Sequence, residues 1–589
     1  MSRDDERVSR FACVVVAGLF VAGLLQLGVC LKAVQVDGAA DYNYASARQS
    51  VRRVQVGGSR GNIFDRNGET LAGNRLSVSI VCQPAAFQRR GWDATVAEIG
   101  KAIEDVAKTV GRASPVSEKD IRRHVRQSLA MPLFVWSDIG EEELSRFAEH
   151  ERDLPGFAVV ETEERTYPNG SLAAHLLGYV GRERGDAEAG DEKFNFVVPE
   201  MRGRAGIEMY YDSFLRGVPG ENKLLVDACG YTIREWTVSE PSQGPDLQLS
   251  IDIRIQREVE RQLAGECGAC AVLDPRTGEI LALASAPGFN PNEFVPVLRT
   301  DLYNRLAADP AKPLLNRASG GAYAPGSTFK PITALAGLMS GHSPEDAYSC
   351  CGVFAFGSMH LHCASRWGHG ELDMRHALMK SCNPYFCNLG HSVGTNALIR
   401  VARAFGLGSK TGVDLGVDMA GTVPDGEWKM RTYGERWYPG DLVQMSIGQG
   451  MLLVSPLQMA RVAGAIGTGY HTVPHLKRDM PVERRPLPVP KEHLDVVREG
   501  MRMVVAGDGT SKGTGWRGGE GVRVPVSGKT GTAEIGKGST RRKNTWFMAY
   551  APSEQPSVAI AMVIENGDSG GGTTAPRVGN ILRAVFDEQ

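Results

Sequence analysis

Residues 11–31, FACVVVAGLFVAGLLQLGVCL, form an apolar run in which Gln26 is the only strongly polar residue. A helix of this length, at about 1.5 Å per residue, is roughly 31 Å long, against a hydrocarbon core of about 30 Å. A cleaved secretory signal is the rival reading. Its apolar region usually spans about 7–15 residues, and the small residues Ala45-Ser-Ala47 lie far downstream for cleavage. The run therefore predicts a retained, single-pass anchor, because no later segment reaches spanning length. Arg3, Arg7 and Arg10 precede it and Lys32 follows it. That bias predicts a cytoplasmic tail at residues 1–10 and an extracytoplasmic body from residue 32.

With 589 residues in all, the body is too long for one ordinary core. A formal net charge of -2 gives no electrostatic ground for a nucleic-acid partner. Residues 93–150 carry apolar side chains at three- and four-residue spacings and predict amphipathic helices. The polar, Pro-containing stretch SEPSQGPD (239–246) marks a boundary. Beyond it, LQLSIDI reads as strand, RIQREVERQLAGE as helix, and residues 269–273 and 279–284 as a hairpin closed by DPRTG. A helix-rich middle spans about 300–510, and strand patterns return at 522–526, 545–551 and 558–566. Strands at both ends must pair in one antiparallel sheet, which gives an α+β domain with helices against the sheet.

Within that domain, Ser327 and Lys330 in GAYAPGSTFKP share one face of a helix start. A serine hydroxyl needs a base, and a lysine serves only if burial or a second cation lowers its pKa. A second cation has two candidates, since Lys-Thr-Gly occurs at 410–412 and at 529–531. The first follows a helical pattern and reads as loop. The second follows alternating Val522, Val524 and Val526, where a sheet edge can line a cleft. Ser381-Cys-Asn383 adds a hydroxyl and an amide on a turn between helices, suited to proton relay. Taken alone, each motif also fits a cap, a turn or a solvated lysine.

Together, S-x-x-K, S-x-N and K-T-G are the signature set of penicillin-binding proteins and serine β-lactamases. RGNIFDRNGETLA, GRAGIEMYYDSFLRGVPG, VLDPRTGEILALASAPGFNPN, IGQGMLLVSPLQMA and GKTGTAE extend the likeness from about residue 59 nearly to the C-terminus. The chain resembles class B penicillin-binding proteins, and RWGHGELDM with VIENGDSGGGTTAP resembles the elongation type. The resemblance implies residues 32–245 as a pedestal (dimerisation-like) domain and 246–589 as a penicillin-binding/β-lactamase-like transpeptidase domain. It also implies a peptidoglycan D,D-transpeptidase of the inner membrane, inhibited by β-lactams. Ser327 would be the nucleophile, Lys330 its base, Ser381 a relay and Asn383 a peptide contact. Lys529, Thr530, Gly531 and Thr532 would hold the substrate carboxylate, with the Ser327 and Thr532 amides as oxyanion hole. No cofactor is implied for the chemistry. The implied partners are stem peptides, a RodA-like glycan polymerase and other elongation-complex proteins. A division-specific transpeptidase is the alternative; a β-lactamase or a β-lactam sensor fits the anchor and the long first domain less well. The segments 60–73 and 203–220 are expected to pack together near the membrane.

Five of the eleven cysteines crowd into residues 350–387. Cys350, Cys363, His369 and Cys382 give three thiolates and one imidazole, a closed set for structural zinc. Cys351 stands as an alternative to Cys350. A disulfide from Cys363 to one of that pair, or plain buried thiols, are the rival readings.

Overall fold

The computed structural model describes residues 3–40, 51–129, 131–183, 195–197, 200–227, 232–296, 298–536 and 542–587. Ala45–Ala47, the small residues weighed as a cleavage site, lie outside these. Among the described residues one helix is long and apolar enough to cross a membrane. It runs over Arg3–Lys32 and continues to Asp37, with its side chains from Arg10 unburied. Apolar side chains exposed all round suit lipid rather than water.

Two larger sheets and the two-stranded pair Val180–Glu183 with Glu200–Gly203 build the described part of the region that follows. Strands Val51–Val56, Gly220–Val226 and Thr232–Ser239 pair antiparallel, and Asn195–Val197 joins the first in parallel. The long strand Thr70–Cys82 pairs with Leu133–Trp136 and Phe157–Thr166. Helices Trp92–Val110, Glu118–Ser128 and Glu141–His150 pack on that sheet, as their spacing predicts, burying Ile99, Val106, Ile121, Val125 and Phe147 against Trp136. The segments 60–73 and 203–220 meet at a buried charge cluster. Arg60 contacts Glu208 (2.6 Å) and Asp212 (2.7 Å), and Arg165 contacts Glu208 (2.7 Å). Burial alone would raise the Glu208 carboxyl, but Arg165 and Arg60 outweigh it and hold the group low.

In the second region the chain's two ends do pair. The antiparallel sheet runs in the order Ile280–Ala286, Gly268–Leu273, Val558–Glu565, Arg542–Ala551, Ser527–Ile535. Its period-2 alternation feeds two cores. Ala271, Trp546, Met548 and Val563 face the helical middle, while Val272, Phe547, Ile560 and Met562 face helices Ile253–Leu263 and Ala575–Asp587. The fold is α+β, with helices on both faces of one antiparallel sheet.

Two strand readings are corrected. Residues 522–526 are not a strand; the edge strand begins at Ser527 and contains Lys-Thr-Gly itself. Pro525 has no N–H for a ladder, and its carbonyl instead accepts from Ser553 N (2.8 Å). LQLSIDI supplies only the two-residue strand Leu247–Gln248, parallel to Ile63–Phe64, before Asp252 caps the next helix.

Candidate active site

Ser327 lies in the 3₁₀ turn Gly326–Phe329, which feeds helix Lys330–Met339, and the Lys330 N–H donates to the Ser327 carbonyl. The turn is pinned from three sides. Gly326 N donates to Gly448 O (2.8 Å), Tyr323 exchanges both backbone bonds with Val454, and Trp546 Nε1 donates to Ala324 O (3.0 Å). Gly326 has φ +56°, and a Cβ there would come within 2.8 Å of the Thr532 carbonyl. The backbone can adopt this turn, tight against the 527–535 strand, only with glycine. Tyr323 and buried Arg317 share Glu565 Oε1, at 2.9 and 2.8 Å.

Helix Met374–Met379 ends just before Ser381, which has φ +54°. A left-handed serine costs of order 1 kcal/mol and persists only where neighbours over-determine it. Those neighbours are two lysines with no exposed surface, Lys330 and Lys529. Lys330 Nζ donates to Ser381 O (2.7 Å) and Asn383 Oδ1 (2.7 Å), and lies 3.4 Å from Ser381 Oγ. Lys529 Nζ donates to Ser381 Oγ and to Thr530 O, both at 2.9 Å.

Burial pulls the Lys330 ammonium down to about 8, although the nearby Cys382, Cys387 and Cys363 sulfurs favour the charged form. Lys529 falls well below the ordinary lysine value, through burial first and repulsion from Lys330 second. A neutral lysine has two N–H bonds, and Lys330 has two acceptors at 2.7 Å. Its lone pair then remains free to take a proton.

Asn383 Oδ1 accepts from Lys330, and one N–H of its Nδ2 donates to His362 O (2.8 Å), which leaves the other N–H for a further acceptor. Thr532 Oγ1 accepts from Gly570 N (3.3 Å), which leaves its proton for another acceptor. Gly531 packs against Pro325 O, within 2.9 Å of where a Cβ would stand. Thr530 Oγ1 donates to Thr514 Oγ1 (3.0 Å), and Thr514 Oγ1 donates to Met379 O (3.2 Å). The sequence reading missed Thr514, Gly448 and Gly570. The one signal for the first was a threonine between two glycines, Gly513-Thr-Gly515.

The other Lys-Thr-Gly copy stands apart. Lys410 is exposed, while Thr411 Oγ1 and Gly412 N bind Asp418 at 3.0 and 2.9 Å.

Next to the Ser381 turn, the ligating atoms of Cys350, Cys363, His369 and Cys382 lie within 4.8 Å of one another. His369 Nδ1 is 3.4 Å from Cys363 Sγ and 3.8 Å from Cys350 Sγ, and the Cys363 and Cys382 sulfurs are 4.0 Å apart. Tetrahedral zinc with sulfur at about 2.3 Å needs donors roughly 3.8 Å apart, so the set fits. The three cysteines are free of disulfides, and exposed Cys351 turns away to Val353 O. Cys363 and Cys382 are coupled through their hydrogen bond, which pulls the Cys363 thiol down and pushes Cys382 up.

Residues 268–583 match the penicillin binding protein transpeptidase domain, and residues 55–249 match the penicillin-binding protein dimerisation domain. The peptidoglycan D,D-transpeptidase MrdA of Acinetobacter baumannii is 32% identical, over 99% of this chain and 88% of its own length. A solved Helicobacter pylori penicillin-binding protein PBP2, in complex with MreC, superposes with TM-score 0.78 at 28% identity, covering 91% of this chain and 99% of that one. A chain from a structure titled for a peptidoglycan synthase complex that coordinates polymerization and crosslinking gives TM-score 0.71 at 28% identity, covering 98% and 99%. On its transpeptidase domain, its dimerisation domain and its full-length relatives, the chain belongs to the class B penicillin-binding proteins of the elongation type.

Proposed function

We infer that this chain is a membrane-anchored serine D,D-transpeptidase that cross-links peptidoglycan during cell-wall elongation. The observation that carries the chemistry is Ser381 Oγ between two buried lysines, one of them with a pKa near 8. Ser327 Oγ attacks the carbonyl carbon before the terminal D-alanine of a stem peptide, and its proton passes to the Lys330 lone pair. The C–N bond breaks, and the proton goes to the departing D-alanine amine. A side-chain amine of a neighbouring stem then attacks the Ser327 ester, forming the new amide and restoring the serine. The Ser327 and Thr532 amides stabilise the oxyanion, where one donor is worth about 10²–10³ in rate. Thr532 supplies a free hydroxyl proton to the substrate carboxylate near Lys529, and Ser381 relays protons between the lysines. Asn383 orients the base through its Oδ1, and the second N–H of its Nδ2 is left to contact the peptide.

Residues 1–10 are read as cytoplasmic and the body as extracytoplasmic, and the chain works in an elongation complex. A RodA-like polymerase is the proposed partner of residues 32–245, since residues 246–589 carry all the acyl-transfer groups. Cys350, Cys363, His369 and Cys382 would hold one zinc, whose contribution is structural: it ties Cys382, beside Ser381, to the preceding hairpin.

Fluorescent penicillin should label the wild type and leave Ser327→Ala unlabelled. An adduct of equal yield on the folded variant would overturn the nucleophile.

A further inference from the structure

The loop between helix Lys491–Ala506 and the edge strand Ser527–Ile535 carries none of the three motifs, yet it touches Thr530 of one and the approach to Ser381 of another. Thr514 is its centre. The Thr514 N–H and hydroxyl both point at the Met379 carbonyl (3.4 and 3.2 Å), at the C-terminal end of the helix leading to Ser381. The same hydroxyl oxygen accepts from Thr530, the neighbour of Lys529. One side chain thus joins the turn that carries Ser381 to the strand that carries Lys529.

Its placement leaves little freedom. A Cβ on Gly513 would meet Val504 O at 2.1 Å, and one on Gly515 would meet Phe547 at 2.7 Å and Thr530 Cγ2 at 3.3 Å. The two glycines let the loop press in until Thr514 spans the gap. A second tie runs beside it. Lys380 Nζ donates to Ser511 Oγ (2.6 Å), and Ser511 is itself held by Asp508 through its N–H (2.7 Å) and hydroxyl (3.2 Å). Lys380 is the residue before Ser381, so both ties land on the approach to the strained serine.

Resting on the serine-acylation reading, we propose that Thr514 is a positioning residue for acylation, with Ser511 in support. Its hydroxyl fixes the Met379–Ser381 turn against the Lys529 strand, and so holds Ser381 Oγ within reach of both lysines. A left-handed serine at a helix end relaxes more readily when the last carbonyl loses the nearer of its two donors. Thr514 touches no reacting atom; it acts through Ser381.

The test uses the full-length protein and a fluorescent penicillin, separating the acylation rate constant from the Kd of the prior complex. Thr514→Val keeps the shape and removes the hydroxyl. It should lower the rate constant by about tenfold and change Kd by less than about twofold. Thr514→Ser, which keeps the hydroxyl, should restore most of the rate. In a Ser381→Ala background, Thr514→Val should cost less than about twofold, because residues acting as one unit are not additive. Wild-type rates in Thr514→Val, or full additivity with Ser381→Ala, would overturn the role. Should Thr514→Val fail to fold, Ser511→Ala decides: a fall of about threefold in the rate constant supports the tie, and no change overturns it. A wild type that takes up no penicillin would sink the acylation reading itself and is recognisable before any variant is made.

Discussion

The tripeptide Lys-Thr-Gly folds twice in this chain, into environments that share nothing. At 529–531 it lies within a five-stranded sheet's edge strand, with the lysine fully buried and bonded to Ser381 Oγ. At 410–412 it is irregular backbone beyond helix Thr395–Ala404, with the lysine in solvent and its threonine and glycine tied to Asp418. Burial next to Lys330 makes the first lysine costly to charge, which is what gives it chemical use. The second lies in solvent.

Replacing each lysine by alanine should separate the copies most widely. Lys529→Ala removes the amine and the hydrogen bond that face Ser381. It should lower the acylation rate by about 10²–10³. Lys410→Ala should leave the rate unchanged. The comparison fails if stopped-flow labelling of two stably folded variants gives equal losses.

Titration gives the next largest effect. Lys330 must be neutral to accept the Ser327 proton, and burial lowers its pKa to about 8 against the opposing pull of Cys382, Cys387 and Cys363. Acylation should therefore fall about tenfold per pH unit below 8 and level off above it. Folding linkage has a defined sign as well. The unfolded lysine binds its proton up to about 10.4, so the unfolded chain holds more protons between 8 and 10.4 and this group's contribution to stability rises with pH there. A rate that is flat from pH 6 to 9 would remove Lys330 as the base, whereas a change confined to Lys410 variants would invert the comparison.

How the two copies differ was partly written in the sequence. Ser327 and Lys330 were legible because a three-residue spacing after a Pro-Gly turn encodes one helical face. The sheet was legible because its strands are nearly continuous apolar runs at the two ends of the domain. The 522–526 segment misled because alternating valines outweighed Pro525, and the strand slid onward to Ser527. Cys350 and Cys351 were not separable by spacing. The strand Tyr348–Cys350, paired Cys350 to Gly370, turns the first sulfur to His369 and leaves the second outside. Thr514 was silent because its partners, Met379 and Thr530, are assembled only by the tertiary fold.

The metal cluster tests why Lys529 has a fixed partner, whereas Lys410 is exposed. Protein purified without chelator should carry about one zinc per chain, and His369→Ala should lose it. With Cys382 released, the adjacent Ser381 turn loosens, and acylation should fall by about tenfold, at the low end for a group that supports a site from behind. Metal-free wild type that acylates at full rate would show that the turn needs no clamp.

The smallest effect belongs to the loop copy. Asp418 accepts from Thr411 Oγ1 and Gly412 N, and Thr411 is buried, with its carbonyl also receiving Arg461 Nη1 at 3.3 Å. Asp418→Ala leaves those two donors without their acceptor, and an unmade bond of this kind costs about 1–3 kcal/mol. Because Asp418 is partly exposed, water recovers some of that, and the expected loss is about 1 kcal/mol. Thermal or denaturant unfolding should register the change while the penicillin acylation rate stays at the wild-type value. The second half carries the weight. If Asp418→Ala slowed acylation without unfolding the chain, residues 410–418 would be coupled to the Ser327 site, and the same tripeptide would be at work in both places.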